Sequence, residues 1–234
     1  MVETMTATRL HYIYDPLCGW CYAVAPLVKA AREVASIELH GGGMMTGARR
    51  QQITPAWREY VAPHDRQITQ ATGQQFGQAY LNGLLTDHTA WLDSEPPTAA
   101  VLAAEQVQEA GLDMLARLYE AHYVEGLRIA DAGVLSDLAG ELGLDRGPFL
   151  EALQSFRGEA VNAHFAESRD LLSAVGARGY PTFVIEREGH LERLDHTPFL
   201  GRPEAWQSAL KSLKLRPPAP SQLEVGCGPN GCAI

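Results

Sequence analysis

Apolar positions along this chain change period three times, and each change marks a different kind of element. Arg9 to Tyr14 carries aromatic and β-branched residues and predicts a short strand. From Trp20 the apolar residues Trp20, Val24, Leu27, Ala31 and Val34 recur at helical spacing. Ser36 to His40 returns to alternation through Ile37 and Leu39 and predicts a second strand, ended by Gly41-Gly42-Gly43. Between Thr46 and Val175 the pattern is helical nearly throughout. The predicted segments are Pro55 to Thr72, Gln74 to Leu85, Pro96 to Ala110, Leu112 to Glu125, Asp131 to Leu142, Arg146 to Gln154 and Glu159 to Val175. Asp131 is placed to cap one start, Pro97 suits a first turn, and Gly143 follows a helix end. Thr182 to Arg187 then predicts a strand, Glu188-Gly189-His190 a turn, and Leu191 to Asp195 the antiparallel return. A last helix opens at Arg202-Pro203-Glu204 with Trp206, Leu210 and Leu213 on one face, and Arg216-Pro217-Pro218-Ala219-Pro220 cannot continue it.

Composition narrows the class. The 234 residues suffice for one domain with an insertion or for two small domains. No heptad run or repeat appears, which excludes a coiled coil or solenoid. A net charge of −9 argues against nucleic acid or an anionic membrane as the main partner. No apolar run is long enough to span a bilayer, and Met1 to Leu10 lacks the apolar core of a secretory signal. The expected location is therefore a reducing cytoplasm. Four cysteines there suit redox or metal chemistry better than a structural framework.

The chemistry concentrates in Tyr14-Asp15-Pro16-Leu17-Cys18-Gly19-Trp20-Cys21, where the first strand hands over to the first helix. A helix N-terminus presents unpaired amides and a partial positive charge, which favour a thiolate, the attacking species in disulfide exchange. Cys21, one turn later on the same face, can attack a mixed disulfide at Cys18 and resolve it. Trp20 is either a substrate-facing aromatic or the start of the buried stripe. The loop after the second strand either faces the dithiol, with Met44 and Met45 offering soft apolar surface, or is a plain crossover. Half of a structural zinc site is the competing reading of the two cysteines; it leaves the helix-start placement and Pro26 without a role.

Cys18-Gly19-Trp20-Cys21-Tyr22-Ala23-Val24-Ala25-Pro26-Leu27 resembles the thioredoxin active-site helix, its proline eight residues after the first cysteine. Gly179-Tyr180-Pro181-Thr182-Phe183-Val184-Ile185 looks like that superfamily's cis-proline loop. The chain is similar to the DsbA-like branch, and Tyr123 to Ile129, with Val134-Leu135 and Gly143-Leu144, resembles the helical insert of its FrnE-like and chromene-carboxylate-isomerase-like members. The resemblance spans roughly Arg9 to Leu213. It implies an α/β fold, a thioredoxin-like domain (residues 1–45 and 176–215) interrupted by a large all-helical insertion (46–175), with a linker and cysteine-containing tail (216–234). It implies a thiol–disulfide oxidoreductase or disulfide isomerase in which Cys18 attacks, Cys21 resolves, Pro181 in cis shapes a client groove, and Trp20, Tyr180 and Thr182 contact the substrate. Protein or small-molecule disulfides and thiols are the implied partners, with glutathione as a possible co-substrate and no bound cofactor or metal.

Three matters stay open in the sequence. The family's buried acid, six residues before the first cysteine, is replaced by Tyr12; Asp15 either moves a proton in its stead or caps the turn. Cys227 and Cys232 either form an auxiliary redox pair, as in FrnE-like proteins, bind metal, or do neither. A glutathione-dependent transferase or isomerase of the same fold, or a non-enzymatic zinc protein or chaperone, would also use these residues. The eight histidines show no ligand spacing, and His122 and His164 read as satisfied helix residues.

Overall fold

The computed structural model describes residues 8–213 and 215, so Cys227, Cys232 and the linker before them lie outside the described residues. Strand β1 (Arg9–Tyr14) is one of the two inner strands of a four-stranded sheet ordered β2-β1-β5-β6. It runs parallel to β2 (Ile37–Gly41), from Leu10 opposite Ile37 to Tyr14 opposite Gly41, and antiparallel to β5 (Thr182–Arg187), with Ile13 opposite Thr182. β6 (His190–Leu194) returns along β5. A parallel pair needs a crossover, and α1 (Gly19–Ala23) with α2 (Ala25–Arg32) supplies it.

The helical stripe that begins at Trp20 breaks at Val24. Pro26 has no N–H for the Tyr22 carbonyl, and its ring crowds that oxygen. The freed carbonyl instead accepts Gln74 Nε2 at 3.1 Å. Side chains of β1 alternate faces. Tyr12 and Tyr14 are wholly buried in a core shared with Leu27 of α2 and with Trp206 of α9 (Pro203–Lys211), while Ile13 and Val184 pack against Leu172 of α8 (Glu159–Ala174) and Ala177 just after it.

Between β2 and β5 come α3 (Pro55–Thr72), α4 (Glu95–Gln108), α5 (Gly111–Tyr123), α6 (Ala132–Glu141), α7 (Arg146–Ser155) and α8. The core continues without a break from Leu10, Tyr12 and Val24 into Met114, Leu118, Leu135 and Phe149 of this helical region. It is not entirely helical. Strands β3 (Gln51–Gln52) and β4 (Trp91–Leu92) pair antiparallel, with the Arg50 guanidinium 5.3 Å above the Trp91 ring. Two-residue strands leave no periodicity to read. The helix expected from Gln74 also fails to start there: Gly77 N–H is bonded to Tyr123 O at 2.9 Å, and a Cβ on Gly77 would meet Val124 O at 1.9 Å. The chain coils only from Ala79. Asp131 does hold the N-cap position of α6, but its side chain makes no capping bond.

Candidate active site

The strand-to-helix turn is built by Asp15. Its Oδ1 accepts Leu17 N–H at 2.9 Å, closing an Asx turn, and its backbone carbonyl accepts Cys18 N–H at 3.1 Å. The same carboxylate accepts Ser94 Oγ–H at 2.9 Å and Met44 N–H at 2.6 Å. Three donors compensate a carboxylate with no solvent exposure, yet burial still raises its pKa. Asp15 thus caps the turn, as one of the two readings had it, and in addition ties the turn to the loop after β2 and to the start of α4.

Cys18 occupies the N-cap of α1 and Cys21 the first turn. Cys18 is 8% exposed and lines two cavities; Cys21 is fully buried behind it. Burial, and then its hydrogen bond to the Cys18 sulfur, push the Cys21 thiol well above the ordinary cysteine value, so it keeps its proton. Cys18 Sγ lies 3.6 Å from the Tyr180 carbonyl, delivered by the cis Tyr180–Pro181 peptide 162 residues away.

Three glycines hold that loop. A Cβ on Gly42 would lie 2.1 Å from Tyr180 Cζ, and one on Gly41 2.4 Å from Thr98 Cγ2. Gly43 has φ +63° and faces the Phe165 ring. Tyr180 Oη–H donates to Gly42 O at 2.9 Å, and burial pushes its pKa up to about 12. The glycine run is therefore a seat for the Tyr180 ring. Met44 lines both cavities, and Met45, largely buried with its N–H on Ser94 Oγ, lines the smaller one.

The larger cavity, about 680 Å³, runs from Cys18 along Tyr180 and the end of α8, edged by Arg49, Arg169 and Arg178. The smaller, about 270 Å³, lies on the α3 side and is apolar: half-buried Trp20 faces Trp57, Tyr60 and Ile68 across it. Thr182 is not on either wall; its hydroxyl donates to Gly179 O at 2.8 Å inside the turn. Asp65 and His122 also line the smaller cavity, and of these Asp65 went unnoticed in the sequence. Asp65 is 6% exposed, accepts Tyr80 Oη–H at 3.3 Å, and burial raises its pKa to about 6. His122 is buried, its pKa lowered to about 4 by desolvation, and its Nδ1 has no hydrogen-bond partner among the described residues. Its mid-helix position suggested a satisfied residue, and this one nitrogen departs from that reading. His164 is satisfied, accepting Gly41 N–H at 2.8 Å. At the family's acid position, Tyr12 Oη–H donates to Cys21 O at 3.4 Å, and burial raises its pKa far above the usual phenol value.

A family model for the DSBA-like thioredoxin domain matches residues 9–200. The chain belongs to the DSBA-like thioredoxin domain family. Its strand order, its dithiol at a helix start and its large helical region between β2 and β5 are how this DsbA-like chain is built. The cytosolic disulfide reductase DsbM from Pseudomonas aeruginosa is similar to it at 53% identity, covering 88% of this chain and 98% of that one with a TM-score of 0.82. DsbM with GSH matches at 50% identity over the same shares, TM-score 0.80. A structure from Nitrosomonas europaea, at 22% identity and TM-score 0.70 over 88% of this chain and 97% of that one, shares the fold. No curated protein matches this DsbA-like chain. Among the described residues no helix is long and apolar enough to cross a membrane.

Proposed function

We propose that this DsbA-like protein is a disulfide reductase of the cytoplasm that draws its electrons from glutathione. Cys18, as thiolate, attacks one sulfur of a client disulfide; that bond breaks and the departing client sulfur takes a proton. Cys21 then gives up its proton and attacks Cys18 Sγ, which forms the Cys18–Cys21 disulfide and releases the second client thiol. Two glutathione molecules restore the dithiol in two exchanges and leave as glutathione disulfide.

The observation that carries this reading is the inequality of the two sulfurs. Cys18 stands at a helix N-terminus, on the lining of two cavities and beside the Tyr180 carbonyl, while Cys21 is sealed behind it with its proton held. An attacking thiol needs access, and a resolving thiol needs to wait. The arginine-edged cavity suits the two carboxylates of glutathione, and the apolar one suits a client side chain. Tyr180 lines the first and Trp20 the second, with Cys18 and Met44 on both. Asp65, its pKa raised to about 6 by burial in the client cavity, is a second carboxyl that could exchange a proton, since Asp15 is occupied by three donors. The likeness to DsbM, a cytosolic disulfide reductase with a GSH complex, supports both the direction of electron flow and the compartment.

Insulin reduction by the full chain, coupled to glutathione and followed by turbidity, tests the proposal, with refolding of scrambled ribonuclease run beside it to measure isomerase activity. Cys18→Ser is expected to abolish turnover, and Cys21→Ser to stall as a mixed disulfide visible by mass. Turnover at background in the wild-type chain would end the reading.

A further inference from the structure

The sheet brings together histidines that are 29 residues apart in sequence. His11 on β1 and His40 on β2 both project toward the α8 side, opposite Tyr12, and Glu38 stands between them in the parallel register. We propose that His11, His40 and Glu38 form a binding site for a divalent transition-metal ion, with zinc the best fit, on the far face of the sheet from the buried tyrosines. His11 Nδ1 lies 3.0 Å from His40 Nε2 and 3.4 Å from Glu38 Oε2, and all three ligand atoms fall within 4.8 Å of one another. Zinc bonds of ~2.0–2.1 Å at tetrahedral angles hold neighbouring ligand atoms about 3.3 Å apart. Two of the three edges already have that length.

A second observation is independent of those edges. His11 is 6% exposed, and its Nε2 has no hydrogen-bond partner among the described residues, although Glu186 Oε2 is 3.4 Å away. A histidine that binds metal through Nδ1 carries its proton on Nε2 and gives it to a carboxylate, which fixes tautomer and ring. Glu186 on β5 stands in that position. Arg9 is near the other Glu38 oxygen, Oε1, at 3.4 Å, leaving Oε2 turned to the histidines. Glu38 and His40 are only half-buried, so an ion and a completing water reach the site from solvent. The two-nitrogen, one-carboxylate donor set selects zinc over calcium or magnesium, which take oxygen ligands. His40 directly precedes the glycine run that seats Tyr180, so an ion here would staple the end of β2 to β1.

The test must keep sulfur out of the count. The full chain bearing Cys18→Ser, Cys21→Ser, Cys227→Ser and Cys232→Ser is titrated with zinc against a chromophoric chelator, and its thermal unfolding is followed with and without zinc. One ion is expected to bind and to raise the melting temperature. His40→Gln and Glu38→Gln, both at half-exposed positions, should abolish the shift, and Glu186→Gln should weaken binding ~10–100-fold while one ion still binds. Cobalt in place of zinc should give a visible spectrum of nitrogen and oxygen ligation. No zinc uptake by the serine variant, or uptake unchanged by His40→Gln and Glu38→Gln, would overturn the site and leave a hydrogen-bonded histidine pair only. Neither result bears on disulfide turnover, which is measured on the wild-type dithiol.

Discussion

Adding one methyl group at Gly42 should disable the dithiol without touching it. A Cβ there would lie 2.1, 2.2 and 2.4 Å from Tyr180 Cζ, Cε1 and Oη. The ring must withdraw by roughly 1 Å or more to reach ordinary contact. It cannot do so and keep the 2.9 Å bond from its hydroxyl to Gly42 O. Overpacking costs ~1–3 kcal/mol and the lost hydrogen bond ~0.5–1.5, so Gly42→Ala should destabilise the protein by roughly 1.5–4.5 kcal/mol. Because Tyr180 presents its carbonyl 3.6 Å from Cys18 Sγ, the displacement also reaches the reacting sulfur. A misplacement of that size can cost about a hundredfold in rate. Urea unfolding and glutathione-coupled insulin reduction read the two effects. Tyr180→Phe, which loses the hydrogen bond alone, should cost only ~0.5–1.5 kcal/mol. In a Tyr180→Ala background the methyl group has room, and Gly42→Ala should then cost under ~0.5 kcal/mol. Equal cost in both backgrounds would refute the reasoning, as would a Gly42→Ala protein with wild-type stability and rate.

Ser94→Ala leaves the buried Asp15 carboxylate short of one donor and Met45 N–H without its acceptor, so the urea midpoint should fall by the equivalent of about 1–3 kcal/mol; an unchanged midpoint would contradict the anchoring role. Asp65 binds its proton more tightly folded (about 6) than unfolded (3.8), so the folded state is relatively favoured at low pH and loses at most about 3 kcal/mol as pH rises from about 4 to 6. Asp65→Asn should remove that slope in unfolding measurements from pH 4 to 8, and retention of the slope would reassign it. Arg169→Gln combined with Arg178→Gln should raise the KM for glutathione while sparing kcat, with little effect on an uncharged thiol such as 2-mercaptoethanol; equal loss with both thiols would remove the arginines from substrate binding.

The sequence was most informative where a few adjacent residues determine the outcome. Arg9 to Tyr14 has the strand composition, Pro26 interrupts the helix by its own chemistry, and Pro55 to Thr72 is bounded by Thr54, which caps Trp57 N–H at 3.1 Å, and by Gly73 at φ +80°. What stayed hidden depends on partners distant in sequence. Nothing near Ser94 announces that it holds Asp15, and nothing around Gln74 to Gln78 reveals that Tyr123 will claim the Gly77 amide. Asp65 drew no notice within its polar helix, because its partner Tyr80 lies 15 residues on, beyond α3. His11 and His40 had no ligand spacing because strand pairing, not helical or loop spacing, joins them.

The bonds around Cys18 also set an order of events during synthesis. The two sulfurs leave the ribosome early, but Ser94 follows Asp15 by 79 residues, Tyr119 Oη reaches the Asp15 carbonyl from 104 residues on, and the Tyr180 carbonyl comes 162 residues after Cys18. A nascent chain thus carries the reagents long before the vessel that governs them. The cleft around the dithiol is complete only when nearly the last strand has been translated, and a product truncated before Tyr180 lacks one of its walls.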